Sequence, residues 1–311
     1  MSLFPAPILV NGATHSAQTF RMLVRDLARG AEGITEGDDL RVSQLTTPGD
    51  GVQIRSGSGI VRGRFSTFQG SYAVCNAGAD TVDVAPTGGT ARSDMVVVRV
   101  EDPEYEGDLN PAVDPICYFE VISNVGSTAT TVPGGRSAIP LARIDIPTST
   151  STITDAMITD LRKIANPRRD RKTYLRFPTS TSASITNSNG VWQTFNTASD
   201  WNIDVPDWAS QATVRLDILQ LKYSVNPFIG QMRGQFGSSL ATQPVILDDN
   251  QSGIRRQMAA VADTLTIPTA YRGTTQALRA QATGTTGNTG TLAVDASTTL
   301  LADVEFIEAP R

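Results

Sequence analysis

The sequence predicts a mainly β chain in two parts: a β-rich first part with one or two short helices, then a jelly-roll-like β-sandwich. Three observations carry this. Thr and Ser make up about a fifth of the 311 residues, and 26 Gly and 17 Pro punctuate the chain, a composition suited to many short strands joined by turns. Val, Ile, Tyr and Phe recur in runs of four to eight residues bounded by Gly, Pro, Asn or Asp. At about 150 residues per domain, the length has room for two cores.

The elements follow in order. Thr14 and Ser16 can cap a helix from Ser16 to Arg29, with Phe20, Leu23, Val24, Leu27 and Ala28 on one apolar face and Gly30 at its stop. Short strands are expected over 40–44, 51–56, 59–65, 72–76, 81–85, 94–102, 117–123 and 141–146. The run Met95 to Val98 with Val100 is apolar on both faces, which marks a central strand. Thr154 caps a predicted second helix, Asp155 to Lys163. The basic stretch Asn166–Thr173 holds no apolar residue and reads as a linker, so the expected domains are 1–165 and 174–311. Beyond it, strands are expected over 192–196, 211–224, 230–236, 245–247, 253–261, 264–267, 276–283, 290–295 and 299–308, with a polar hairpin tip between Thr283 and Thr291.

Composition excludes several chemistries. A net charge of -5 gives no basic field for nucleic acid. One histidine, His15, must serve any triad or zinc site, and it sits among polar residues before the first helix, where a capping or surface role is favoured. Cys75 and Cys117 form no CxxC motif and are expected as small buried apolar residues of a protein made in a reducing cytoplasm. No run reaches the ~18 apolar residues of a membrane span, and Met1 to Gly12 is a poor signal peptide. Gly57, Gly59 and Gly63 lack the nucleotide-loop spacing and read as turn glycines. No cofactor and no metal is expected.

The order HSAQTFRMLVRDLARG, DDLRVSQLTTPGDGVQIRSGSGIVRGR, GSYAVCNAG, ARSDMVVVRVEDPEY and IPLARIDIPTSTSTITDAMITDLR resembles minor tail proteins of bacteriophages, those of actinobacterial phages above all, over about Gly12 to Arg162. The resemblance implies a tail-attachment domain in a tail-tip or baseplate protein of the virion. It implies other tail proteins as partners and a homo-oligomer, expected as a trimer, made in the host cytoplasm. The second half resembles no enzyme and is expected as a structural or adhesin domain.

Each candidate site in the sequence competes with a plain structural role. Arg92, Asp94, Arg99, Glu101, Asp102, Glu104, Glu106 and Asp108 bracket the central strand and offer paired carboxylates for glycoside hydrolysis or calcium, but the favoured reading has Arg92 and Asp94 start a strand and the acidic loop form a solvated hairpin tip. Asp248, Asp249 and Asn250 miss the calcium-loop spacing. Trp192, Phe195, Trp201 and Trp208 could stack on cell-wall glycan, but core is favoured. Arg168, Arg169, Arg171, Lys172 and Arg176 read as a solvated linker or an intersubunit salt-bridge zone. Leu301 and Ile307, on the second face of the last strand, are candidate interface residues. The expected function is therefore a non-enzymatic virion structural protein. Its alternatives are a receptor-binding protein whose sandwich takes host glycan and a two-carboxylate polysaccharide hydrolase.

Overall fold

The computed structural model describes residues 11–12, 14–195 and 200–311; the expectations for residues 1–10 and Asn196 lie outside them. The chain divides into two compact units, Met1–Pro167 with Ala309–Arg311, and Arg168–Glu308.

The first unit holds α1 (Ala17–Leu27), then β1 (Gly33–Ile34), β2 (Val42–Gln44), β3 (Gly51–Ile54), β4 (Gly57–Arg62) and β5 (Ser71–Asn76). There follow β6 (Asp80–Asp83), β7 (Arg92–Val100), β8 (Cys117–Val125), β9 (Ala138–Ile146) and β10 (Ile158–Asp160). Its three sheets have the orders β1-β4-β5, β2-β3-β6 and β10-β9-β7-β8. Strand β7 lies between β8 and β9, as its doubly apolar run requires. Val96, Val98 and Val100 enter the main core with Ile34, Ile54 and Leu141, while Met95 and Val97 pack on the other side with Ala138 and Leu161.

The predicted second helix is a correction. Asp155–Met157 makes one 3-10 turn, and Ile158–Asp160 is a strand paired with β9, Ile158 opposite Ile144. The β-branched pair Ile158 and Thr159 suits an edge strand better than a short helix. The tail Ala309–Arg311 belongs to this unit, where the Arg311 amide donates to Gly37 O at 2.8 Å and Arg162 Nη2 donates to Arg311 O at 2.8 Å.

The second unit holds β11 (Arg169–Arg176), β12 (Gln193–Thr194), β13 (Asp200–Asp204), β14 (Gln211–Ser224), β15 (Phe228–Phe236) and β16 (Leu240–Ala241). Completing it are β17 (Val245–Asp249), β18 (Arg255–Thr266), β19 (Thr275–Gly284), β20 (Thr291–Ala293) and β21 (Thr299–Ile307). One sheet runs β11-β21-β14-β18 with β20 on β14; the other runs β12-β19-β15-β16 with β13 on β19 and β17 on β15. Inward residues of both share one core, Val214, Leu216, Val304 and Phe306 from the first and Trp201, Met232, Phe236 and Leu278 from the second. This is a β-sandwich-like arrangement.

Three expectations fail here for identifiable reasons. The basic linker is strand β11, antiparallel to β21 from Arg169↔Ile307 to Arg176↔Leu300. Residues 168–173 thus enter the second unit, and residues 309–311 leave it. The two strands predicted over 253–267 are one, because Ala262 and Asp263 supply no turn. Between Gly284 and Thr291 the chain crosses sheets instead of closing a hairpin, since β19 pairs with β15 and β20 with β14. Asn288 is buried in that crossover, accepting from the Ile229 and Gly290 amides at 3.2 Å each and donating to Asn187 O at 2.9 Å.

A strand held by a full ladder is a poor protease substrate, which needs locally unfolded chain. Limited trypsinolysis of the native protein is expected to spare the bonds after Arg168, Arg169, Arg171 and Lys172. An early fragment pair ending there, identified by mass spectrometry, would show that β11 is detached in solution.

Candidate functional site

The charged residues flanking β7 form two groups built around arginines. In the first, Arg21 of α1 is a buried cation. Its Nη1 lies 3.2 Å from Asp102 Oδ2, its Nη2 donates to Glu104 Oε2 at 2.5 Å, and its Nε donates to Gln69 O at 2.9 Å. Tyr72 donates to Asp102 Oδ2 at 2.6 Å and receives Gln69 Nε2 at 3.0 Å. Burial, then the bond to Asp102, pushes the Tyr72 phenol well above its ordinary range, so it stays a donor. Gly70, at φ +82°, makes this approach possible, because a Cβ there would meet Arg21 O at 2.7 Å.

The second group surrounds Arg99. Its Nη2 reaches Glu101 Oε2 at 3.3 Å and Glu106 Oε2 at 3.4 Å, and its Nη1 donates to Glu120 Oε2 at 3.2 Å. Tyr118 donates to Glu101 at 2.7 Å, and burial with that bond raises its phenol to about 12. Burial raises the Glu106 carboxyl, with Arg99 opposing and the nearby Glu101 charge adding to the rise. Asp94, fully buried, takes Arg92 Nε at 2.8 Å and the Asn124 amide at 2.9 Å. Arg92 and Asp94 begin β7, and the loop after it is solvated only in part: Glu104 and Asp108 are exposed, but Asp102 is interior, and the acids from Asp94 to Glu106 are bound to arginines. Glycoside hydrolysis needs one carboxyl to donate a proton and another to attack or activate water across a substrate cleft. A 490 Å³ cleft of this unit is lined by residues such as Val74, Asp80, Val98 and Phe119, not by these acids.

That cleft also corrects the cysteines. Cys75 and Cys117 are exposed thiols lining it, because each takes an outward position on its strand. A second cleft, of 400 Å³, brings together Arg25, Arg62 and Arg64 with Phe65 and Gly70, a basic grouping that no local run of the sequence announces. His15 is half-buried, its ring edge-on to Phe20 at 6.2 Å.

In the second unit the aromatic segment is divided. Trp201 and Phe195 are core residues, and Trp208 is half-buried against the same core, 5.5 Å beneath the Arg168 guanidinium. Trp192 is half-buried with Arg233 over its ring at 4.3 Å; burial lowers the Arg233 pKa. Leu301 and Ile307 are half-buried on the outer face of β21. Leu301 lies between Leu175 and Asp217, and Leu175 is the more exposed of the two leucines. Between them runs a charge ladder, Arg171 Nε to Asp303 Oδ1 at 2.9 Å and Arg169 to Glu305 at 3.4 Å, with Arg168 to Glu308 at 2.6 Å at its end. Asp249 is buried and paired with Arg255, a structural role in place of a metal loop. Among the described residues no cluster of three His, Cys, Asp or Glu could hold a metal, and no helix is long and apolar enough to cross a membrane.

Asp295 offers a pH test. Bonds from Arg256 at 2.7–3.0 Å hold its carboxyl near 2, against an ordinary 3.8. A depressed folded pKa stabilises above about pH 4, and the contribution is lost as pH falls through about 2. Asp295→Asn is expected to remove about 1–2 kcal/mol of acid-sensitive stability from the second unit, seen as a shallower fall in urea midpoint between about pH 4 and 2. An unchanged slope would rule that pairing out as a source of stability.

No protein-family profile matches the chain, and no curated protein matches it. Among solved structures it is similar to a chain of infectious bursal disease virus Gx strain, at 12% identity and TM-score 0.26, over 90% of this chain and 80% of that one. It is similar also to the VP2 subviral particle of that virus, at 11% identity and TM-score 0.25, over 91% and 77%. A carbohydrate-binding module of the β-sandwich superfamily matches at 10% identity and TM-score 0.17, over 85% and 94%.

Proposed function

We propose that the chain is a non-enzymatic virion structural protein, a minor tail protein of a phage tail tip or baseplate, working through protein–protein interfaces. The observation that carries this reading is the use of the charged residues in and just after ARSDMVVVRVEDPEY, one of the segments that carry the resemblance. From Arg92 to Glu106 they hold strands, loop and helix to one another, and the acids are bound by arginines where a hydrolase would present them to a substrate. Such internal cross-bracing suits a rigid building block. The first unit is the proposed attachment domain. The second is proposed to face its neighbours or the host and to join copies into a homotrimer through the outer face of β21, with Leu301 and Ile307 in the contact.

A density map of the assembled tail tip tests the reading. Both units located there would support it; a virion lacking the chain would end it. Release of reducing sugar from host cell wall by the purified protein, abolished by Glu101→Gln/Glu106→Gln, would replace it with the hydrolase reading. Of the tryptophans the adhesin alternative would use, Trp201 is interior, Trp208 packs against the core and Trp192 carries Arg233 on one face, which leaves Phe177 as the exposed aromatic of this unit among the described residues. Tryptophan emission that shifts on adding host glycan would favour it.

A further inference from the structure

Most arginines of the first unit lie against a carboxylate, among them Arg21, Arg92, Arg99, Arg143 and Arg162. The 400 Å³ cleft lined by Arg25, Arg62, Arg64, Phe65, Ser66 and Thr67 departs from that rule. Among the described residues no acid lines it, in a chain with 31 acids against 26 Lys and Arg. Arg64 is paired with Glu32, which lies outside the cleft, whereas Arg25 and Arg62 are paired with no carboxylate among the described residues. Like charges gathered in this way repel one another, and an anion between them removes the cost.

The loop that forms the cleft is held in place from below. The Gly63 amide donates to Gly70 O at 3.0 Å, and the Arg64 and Phe65 amides donate to Ser137 Oγ at 3.2 Å and Gln69 Oε1 at 2.9 Å. Gln69 is fully buried under the loop, and a Cβ at Gly63 would meet its Cγ at 2.4 Å, so glycine is what lets that side chain in. Arg25, in the last turn of α1, donates to Thr67 O at 3.2 Å, which ties the helix to the loop and sets a third guanidinium beside Arg62 and Arg64. Donors are left over. The Arg62 guanidinium and the Ser66 and Thr67 amides donate to no group among the described residues.

We infer that this cleft is an anion site that takes a phosphoryl group, free or as a monoester. Guanidinium forks pair with carboxylate or with phosphate, and charge and oxygen count decide between the two. A phosphate monoester brings three acceptor oxygens and a charge of about -1.5 to -2 at pH 7. That matches three guanidinium charges less the one that Glu32 cancels, whereas a carboxylate brings a single charge and two oxygens. With a net charge of -5 the rest of the chain repels a long polyanion, so the fit is to a single phosphate. The exposed Phe65 ring offers an apolar contact to whatever carries it.

Titration calorimetry on the whole chain at low salt, with inorganic phosphate, glycerol 3-phosphate and acetate, tests it. Both phosphates are expected to bind, and acetate about tenfold more weakly or worse. Arg62→Ala is expected to weaken phosphate about tenfold with an unchanged melting temperature, since that side chain is exposed and bonds to nothing in the described chain. Arg41→Ala/Arg55→Ala removes as much charge as Arg25→Ala/Arg62→Ala but from a separate cleft, and is expected to leave phosphate affinity within about twofold. Glycerol 3-phosphate bound more tightly than inorganic phosphate assigns the site to an esterified group; equal or weaker binding assigns it to the free ion. No binding of either phosphate, acetate bound as tightly, or equal losses from the two double substitutions would each overturn the inference.

Discussion

Arg21→Ala is expected to lower the melting temperature of the first unit by about 6–20 °C while leaving the second unit's transition in place. The substitution leaves Asp102, whose side chain is 8% exposed, as a buried carboxylate bonded to the Tyr72 hydroxyl and the Glu104 amide alone. Removing one partner of a buried pair costs about 3–5 kcal/mol, because the remaining charge keeps its desolvation penalty and loses its counter-ion. For a unit of this size each kcal/mol moves the midpoint about 2–4 °C. The stacking of the guanidinium near the Tyr72 and Tyr105 rings is lost as well. Arg29→Ala, exposed at the end of the same helix, is the control and is expected to stay within about 0.5 kcal/mol of wild type. Calorimetry separates the two transitions. A first-unit midpoint within 2–3 °C or so of wild type would mean that α1 is held by something other than Arg21.

That buried arginine also shows where sequence reading stops. The ends of α1 are legible: Ser16 caps it, its hydroxyl accepting the Thr19 amide at 3.2 Å, and the helix ends short of Gly30. Its apolar stripe is legible too, and the ordinary inference from a stripe is that it faces the core. Here Asp102, Gln69 and Tyr72, each dozens of residues away, build a polar socket that a cation fills, and no local pattern encodes a socket. Strand β7 was legible because its run is apolar on both faces and needs no partner to be recognised. Strand β11 was hidden for the opposite reason. Its outward residues are charged, and what makes them a strand is a ladder of acids on β21, with Asp303 and Glu305 more than a hundred residues further on. The carboxylates around β7 were visible as a group, but whether they face solvent, substrate or arginine depends on long-range register.

Asp249→Ala is expected to lower the second unit's stability by about 3–5 kcal/mol, while Asp303→Ala on the ladder costs about 0–1 kcal/mol, although both remove an arginine's carboxylate partner. Burial decides the difference. Asp249 and Arg255 have side chains 4% and 10% exposed, and the Arg255 guanidinium lies 5.6 Å from the buried Tyr223 ring. Burial, and then the Asp249 charge, raise the Tyr223 phenol to about 12, so this ring cannot ionise to take over as partner at neutral pH. Without Asp249 the Arg255 Nε has no charged partner in an apolar surround, and its remaining bonds run to the Gly253 and Asn226 carbonyls. Arg171 differs: its side chain is 64% exposed, so water replaces Asp303 at little cost. The measurement is a pair of urea curves on the second unit's transition, read at low and high salt. Equal losses for the two substitutions would mean that exposure does not govern these pairs. A loss at Asp303 that shrinks with salt, beside one at Asp249 that does not, is the expected result.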